Sequence, residues 1–161
     1  MRTVRVPLLG LAMFLPSFCH AQTKCPWLNQ ATAEGFLGGP AEMAVKLESQ
    51  GGGVCQYSRP GQPSVRQLLI QVAVMSDISK QYPQYVARCG SHQTPVQAIG
   101  NEAVMCNTAK NGRQEDAIVG RVRDQAFVII VSSTGSDESL REDARRKQVT
   151  QIAEQVAGML F

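Results

Sequence analysis

Apolar side chains recur along this chain with two different periods. Met43, Val45 and Leu47 alternate with Ala44, Lys46 and Glu48, which is the two-residue period of a strand. The triplet Gly51-Gly52-Gly53 then reads as a hairpin turn into Val54-Cys55-Gln56-Tyr57. It is not a phosphate loop, because no Lys-Ser/Thr follows it. From Val65 to Met75, Leu68, Ile70, Val72 and Val74 share one face of a long strand. The opposite face carries Leu69, Gln71, Ala73 and Met75, too apolar to stand fully in water, so a helix or a partner is expected to cover part of it. Glu102 to Cys106 reads as a further strand, with a polar loop before it from Gly90 to Gly100 and a turn region after it from Asn107 to Arg113. Ala117–Arg123 and Ala126–Val131 form a hairpin across Asp124-Gln125, with Ile118 and Val122 inward and Arg121 and Arg123 outward on a solvated face. The unbroken run Phe127-Val128-Ile129-Ile130-Val131 marks a central strand.

Helical spacing appears in three places. Asn29 caps Gln30–Leu37, and Gly38 stands where a helix terminates. Asp77–Arg88, capped by Ser76 or Asp77, spaces Ile78, Tyr82, Tyr85 and Val86 at helical intervals, with Pro83 as a point of kinking or division. From Glu138 to Leu160, the positions Leu140, Ala144, Val149, Ile152, Ala153, Val156 and Leu160 recur at three and four, and Ser139 with Glu142 makes a capping box. Glu142–Arg146 and Asp143–Lys147 are helix-surface pairs, so the cluster Arg145-Arg146-Lys147 reads as a solvated face. The expected class is α+β: a mixed, mostly antiparallel sheet with helices packed on one face. Its two halves read as α-β-β-β pseudo-repeats, followed by a closing C-terminal helix.

The beginning of the chain changes the picture of compartment. Arg2 and Arg5 precede a nearly unbroken apolar run from Val6 to Phe18, and Ala21 is a small residue at the expected cut. Residues 1–21 therefore read as a signal peptide, residues 22–161 as a single disulfide-stapled α+β domain, and Gln22 as the mature N-terminus. A membrane anchor is disfavoured, because the run is about 13 residues against the roughly 20 a spanning helix needs, and Pro16 breaks its end. Lipid attachment at Cys19 is disfavoured by Phe18, where a small residue is required. Of the 16 Lys and Arg, Arg2 and Arg5 leave with the signal, so 14 face 13 acids and the net charge drops from +3 to +1. That balance offers no electrostatic footprint for nucleic acid. The expected location is periplasmic or secreted, with no membrane span after cleavage.

Cys19 also leaves, and the 5 cysteines become an even set of Cys25, Cys55, Cys89 and Cys106. In an exported domain this reads as two disulfides rather than a metal site, since no C-x-x-C pair is present and His92 is the sole mature histidine. Of the possible pairings, Cys25–Cys55 and Cys89–Cys106 are expected, each tying a helix end to a strand within its own half.

Little here carries chemistry. His92 beside Ser91 is the only candidate base, but adjacent residues seldom face each other productively, and no G-x-S-x-G elbow occurs. Glu102, Glu115 and Asp116 lie near strand ends and raise glycosidase-like chemistry, which needs two carboxylates across a sugar-sized cleft. The aromatics to line such a cleft are few. No cofactor or metal is implied. The segments Cys25-Pro26-Trp27-Leu28, Leu37-Gly38-Gly39-Pro40, Cys55-Gln56-Tyr57 and Ile99-Gly100-Asn101-Glu102-Ala103-Val104 before Cys106 resemble, in this order, a group of small bacterial extracytoplasmic domains. These are often lipoproteins, and are distantly like the sensor ectodomains of mycobacterial serine/threonine kinases. The resemblance implies an exported domain that binds a small ligand or an envelope protein, without an established activity. The expectation is thus a non-catalytic binding or sensing module, using a concave surface where the outer face of Val65–Met75 meets its covering helices. Leu69, Ala73 and Met75 line either plain core or a ligand groove there, with core the first reading. The competing class is a small secreted hydrolase or an enzyme inhibitor presenting the Arg59–Pro63 loop.

Overall fold

Asn29 accepts a hydrogen bond from the Thr32 N–H at 2.8 Å and opens helix α1, Gln30–Leu37, which stops at Gly38 in the left-handed region at φ 78°. Arg59 donates to the Leu37 carbonyl at 3.0 Å and satisfies one of the orphan acceptors at that end. The computed structural model describes residues 24–60, 66–90, 92–110, 113–134 and 142–161. Within these, strands run Glu42–Leu47 (β1), Gly53–Arg59 (β2), Arg66–Val74 (β3), Gln93–Val96 (β4), Glu102–Lys110 (β5), Arg113–Val122 (β6) and Gln125–Thr134 (β7). Helix α2 covers Ile78–Val86 and continues as a 3-10 turn at Ala87–Cys89, and α3 covers Glu142–Leu160. The signal segment with Gln22, most of the Arg59–Pro63 loop, Ser91 and the Ser139 cap lie outside the described residues.

The strands form one antiparallel sheet in the order β1-β2-β3-β7-β6-β5-β4. The two most apolar strands lie at its centre, with Ile70 opposite Ile129 and Val72 opposite Phe127. The α+β class and the closing helix are as the pattern predicts, and the sheet, expected to be mixed and mostly antiparallel, is antiparallel throughout the described strands. The hairpin of β5 and β6 is longer than predicted, since the region read as a turn from Asn107 is mostly ladder. β4 falls in the segment read as loop: it is short, polar and contains Pro95, so nothing in its pattern announces a strand.

The helices depart from the expected single layer. α1 and α3 cover one face, where Ala33, Leu37, Val149, Ile152, Ala153 and Val156 pack on Tyr57, Leu68, Ile70, Ile118, Phe127 and Ile129. α2 covers the other, where Tyr82 and Cys89 pack with Met75 on Cys106, Val119, Ala126 and Val128. The reason lies in β6 and β7, which carry apolar side chains on both faces and so need cover on both. A dyad centred on the β3–β7 pair relates β1, β2 and β3 to β5, β6 and β7 in the strand order, leaves β4 without a counterpart, and does not relate the helices. α3 fills the place over β6 and β7 that α2 would take, and α2 goes to the opposite side. The halves are therefore repeats in their strands only.

Cys25 pairs with Cys55 and Cys89 with Cys106, with Cα atoms 5.8 and 5.3 Å apart. Each face of the sheet receives one of these staples. Gly120 on β6 is directly opposite Phe127, whose buried ring lies where a side chain would be: an added Cβ would come within 2.3 Å of it. The strand thus lacks a side chain where the neighbouring aromatic supplies the cover.

Alternation makes a sharp prediction on β3. Leu68 points into the α1/α3 core and is fully buried, while Leu69 lies half-buried on the opposite face between Gln56 and Ile130. Urea unfolding of Leu68→Ala should show a loss of about 2–5 kcal/mol, and that of Leu69→Ala about 1 kcal/mol. Equal losses would mean that the open face is covered as deeply as the core.

Candidate functional site

Cys25–Asn29 is a short stretch held from three directions. Cys25 is tied to Cys55 on β2, the Tyr57 hydroxyl donates to the Leu28 carbonyl, and Asn29 caps α1. Burial pushes the Tyr57 phenol up to about 12, so it stays a neutral donor across the physiological range. Trp27 and Leu28 are buried beneath this stretch. Against the last turns of α3 it leaves a cleft of about 450 Å³, lined by Pro26, Trp27, Leu28, Gln155, Gly158 and Met159. Gly158 opens the cleft, since a Cβ there would meet nothing within 4 Å. Met159 at its margin and Phe161 just beyond are each 65% exposed. On the other side of the same stretch, toward β1, a cleft of about 290 Å³ is lined by Lys24, Leu28, Gln30 and Met43. The two share Cys25, Leu28 and Asn29, so a rigid ridge separates two apolar hollows.

A polar cleft of about 330 Å³ lies toward the other end of α3, lined by His92, Thr94, Met105, Asn107 and Arg146 among others. It contains the one histidine that sequence reasoning singled out. Glu142 bonds two of the cleft's lining residues, accepting from Asn107 at 3.3 Å and pairing with Arg146 at 3.1 Å. The three carboxylates considered for glycosidase chemistry are not brought together. Glu102 pairs with Arg121, Asp116 is buried against Arg145 at 2.8 Å, and Glu115, next to Asp116 on β6, points to the opposite face. Arg121 also stacks over Tyr82, 5.9 Å from its centroid, so its charge is absorbed by the sheet surface and α2.

The groove expected on β3 is divided by the observed packing. Met75 is core under α2, whereas Leu69 and Ala73 are half-buried on the sheet face beyond that helix. Sequence reasoning places Trp27 only within the segment Cys25-Pro26-Trp27-Leu28 and does not single out Gly158 or Met159. By spacing Met159 continues the apolar stripe, three residues after Val156 and seven after Ile152, so the pattern gave no signal that it would stand 65% exposed at the end of α3. No helix among the described residues is long and apolar enough to cross a membrane. Comparison with protein-family models, curated proteins and solved structures finds no match to this chain.

Proposed function

We propose that this chain is a non-catalytic exported binding module that takes a small apolar or aromatic group into the cleft between Cys25–Asn29 and the end of α3. The observation that carries the reading is the cleft of about 450 Å³ floored by Trp27 and flanked by the exposed thioether of Met159. Its volume falls in the range of small-molecule sites, which are concave, mostly apolar and largely pre-formed. The disulfide, the Tyr57 hydrogen bond and the helix cap hold one wall in place before any ligand arrives, so little ordering entropy opposes binding. Gln155 lines the cleft and supplies a polar group to orient a ligand. Export, to the periplasm or beyond the cell, is supported by the signal-like residues 1–21 and by two disulfides, which persist in oxidising compartments. The resemblance to extracytoplasmic sensor-like domains points the same way.

Trp27 is the single tryptophan of the chain, so its emission reports this cleft alone. Titration with 1-anilinonaphthalene-8-sulfonate should give a saturable transfer of excitation from Trp27 to the probe. Gly158→Leu fills the open space from a helical position and should weaken that response about tenfold or more, with the unfolding transition retained. Absence of a saturable response in the wild-type protein, or its survival in Gly158→Leu, would overturn the assignment.

A further inference from the structure

The sheet ends on two unlike edges. β4 is 4 residues long and contains Pro95, which lacks the N–H needed to extend a ladder. β1 is 6 residues long, has no proline, and bears no described strand on its outer side. β1 pairs with β2 in the register that sets Glu42 opposite Ser58, and the Glu48 N–H bonds the Gly52 carbonyl at 2.8 Å in continuation of that register. Residues of an antiparallel strand alternate in the neighbour they bond. Glu42, Ala44 and Lys46 therefore spend their backbone groups on β2, while Met43, Val45 and Leu47 aim theirs outward.

We propose that β1 pairs antiparallel with β1 of a second copy of this chain, centred on Ala44, so that two sheets become one. Ladder parity requires outward-aimed residues to face one another, which leaves few registers. Centring on Val45 sets Glu42 against Glu48, centring on Lys46 sets that lysine against itself, and centring on Met43 leaves both charges facing neutral residues. Centring on Ala44 sets Glu42 against Lys46 of the other copy on one face of the sheet, twice by symmetry. On the other face Met43 meets Val45 of the other copy. Leu47, 47% exposed, comes to lie opposite Ala41 of the other copy. The Ala41 N–H already donates to Glu34 and its carbonyl already accepts from Gln30, so the ladder ends at the Met43–Val45 pairs and Leu47 adds side-chain contact only. Neither Glu42 nor Lys46 has an ion-pair partner among the described residues, so both charges are free to pair across the edge. A charged edge ordinarily repels added strands. Here the two charges, four residues apart, turn that repulsion into selection for the chain's own β1.

Analytical ultracentrifugation of the exported protein tests this. The wild-type chain is expected to show a reversible monomer–dimer equilibrium, and E42K or K46E to weaken it about tenfold, since each replaces two attractive cross-strand pairs by repulsive ones. The double variant E42K/K46E restores the pairs in reverse and should recover the dimer, with circular dichroism establishing that each variant is folded. A wild-type chain that stays monomeric at every concentration overturns the proposal. So does a dimer indifferent to E42K, a double variant that fails to recover, or a dimer broken by M159D instead.

Discussion

Replacing Arg145 by alanine is expected to cost about 3–5 kcal/mol of stability, because it strands a carboxylate inside the protein. Asp116 is 1% exposed, and the Arg145 side chain that answers it at 2.8 Å is 14% exposed. The other oxygen of Asp116 has no hydrogen-bond partner among the described residues, so the guanidinium is its principal compensation there. The pair joins α3 to β6 on the main core face, in the row where Asp116 lies between Asn107 and Val131. An unpaired buried charge costs far more than the pair contributes, whereas apolar side chains of similar volume fill the space without desolvating any ion. Asp116→Leu with Arg145→Leu should therefore recover most of the stability that Arg145→Ala loses. Denaturant unfolding of the single and double variants decides it. A loss below about 1 kcal/mol in Arg145→Ala would place the pair in water rather than in the core.

Removing the Cys25–Cys55 bond as a paired serine variant should cost about 3.5 kcal/mol, from the loop-closure entropy of a cross-link spanning 30 residues. The Cys89–Cys106 bond spans 17 residues and should cost slightly less, about 3 kcal/mol. The two differ more in function than in stability. Cys25–Cys55 anchors the ridge that walls the Trp27 cleft, whereas Cys89–Cys106 ties the 3-10 turn to β5 on the opposite face. Loss of the first should abolish the Trp27 response to the probe at temperatures where the domain remains folded, and loss of the second should leave it in place. Thermal unfolding combined with the fluorescence titration separates the outcomes, and an unchanged response without Cys25–Cys55 would show that the ridge is held by Tyr57 and the Asn29 cap alone.

The buried ion pair was legible as a departure from pattern. Arg145 stands on the same helical stripe as Val149, Ile152 and Val156, at spacings of four, three and four, and Asp116 interrupts the inward alternation of Ile118 and Val122 on β6. A charge on an apolar stripe needs an opposite charge across the interface. Taken together, Arg145-Arg146-Lys147 reads as a solvated cluster, whereas the helical face that Arg145 occupies places it in the core. The cleft left fainter traces. Trp27, Gly158 and Met159 come from opposite ends of the domain, and their meeting depends on the path of α3 across the sheet.

Local chemistry determined the elements of this protein. Asn29 and Gly38 bound α1, Asp77 caps α2, with the Ser79 hydroxyl and Lys80 holding its carboxyl below the usual carboxylate range, and the alternation along β1, β2, β3, β6 and β7 sets the faces of the sheet. The even set of cysteines, divided between the two halves, was enough to foresee both pairings. Only the tertiary structure decided which face each helix covers, that β4 adds a seventh strand, and that the end of α3 comes to rest beside Trp27. The physical reason is one of range. Caps, turns and alternation are satisfied within a few residues, but a strand that is apolar on both sides demands only that something cover each face, and competition among all the amphipathic elements settles which one does.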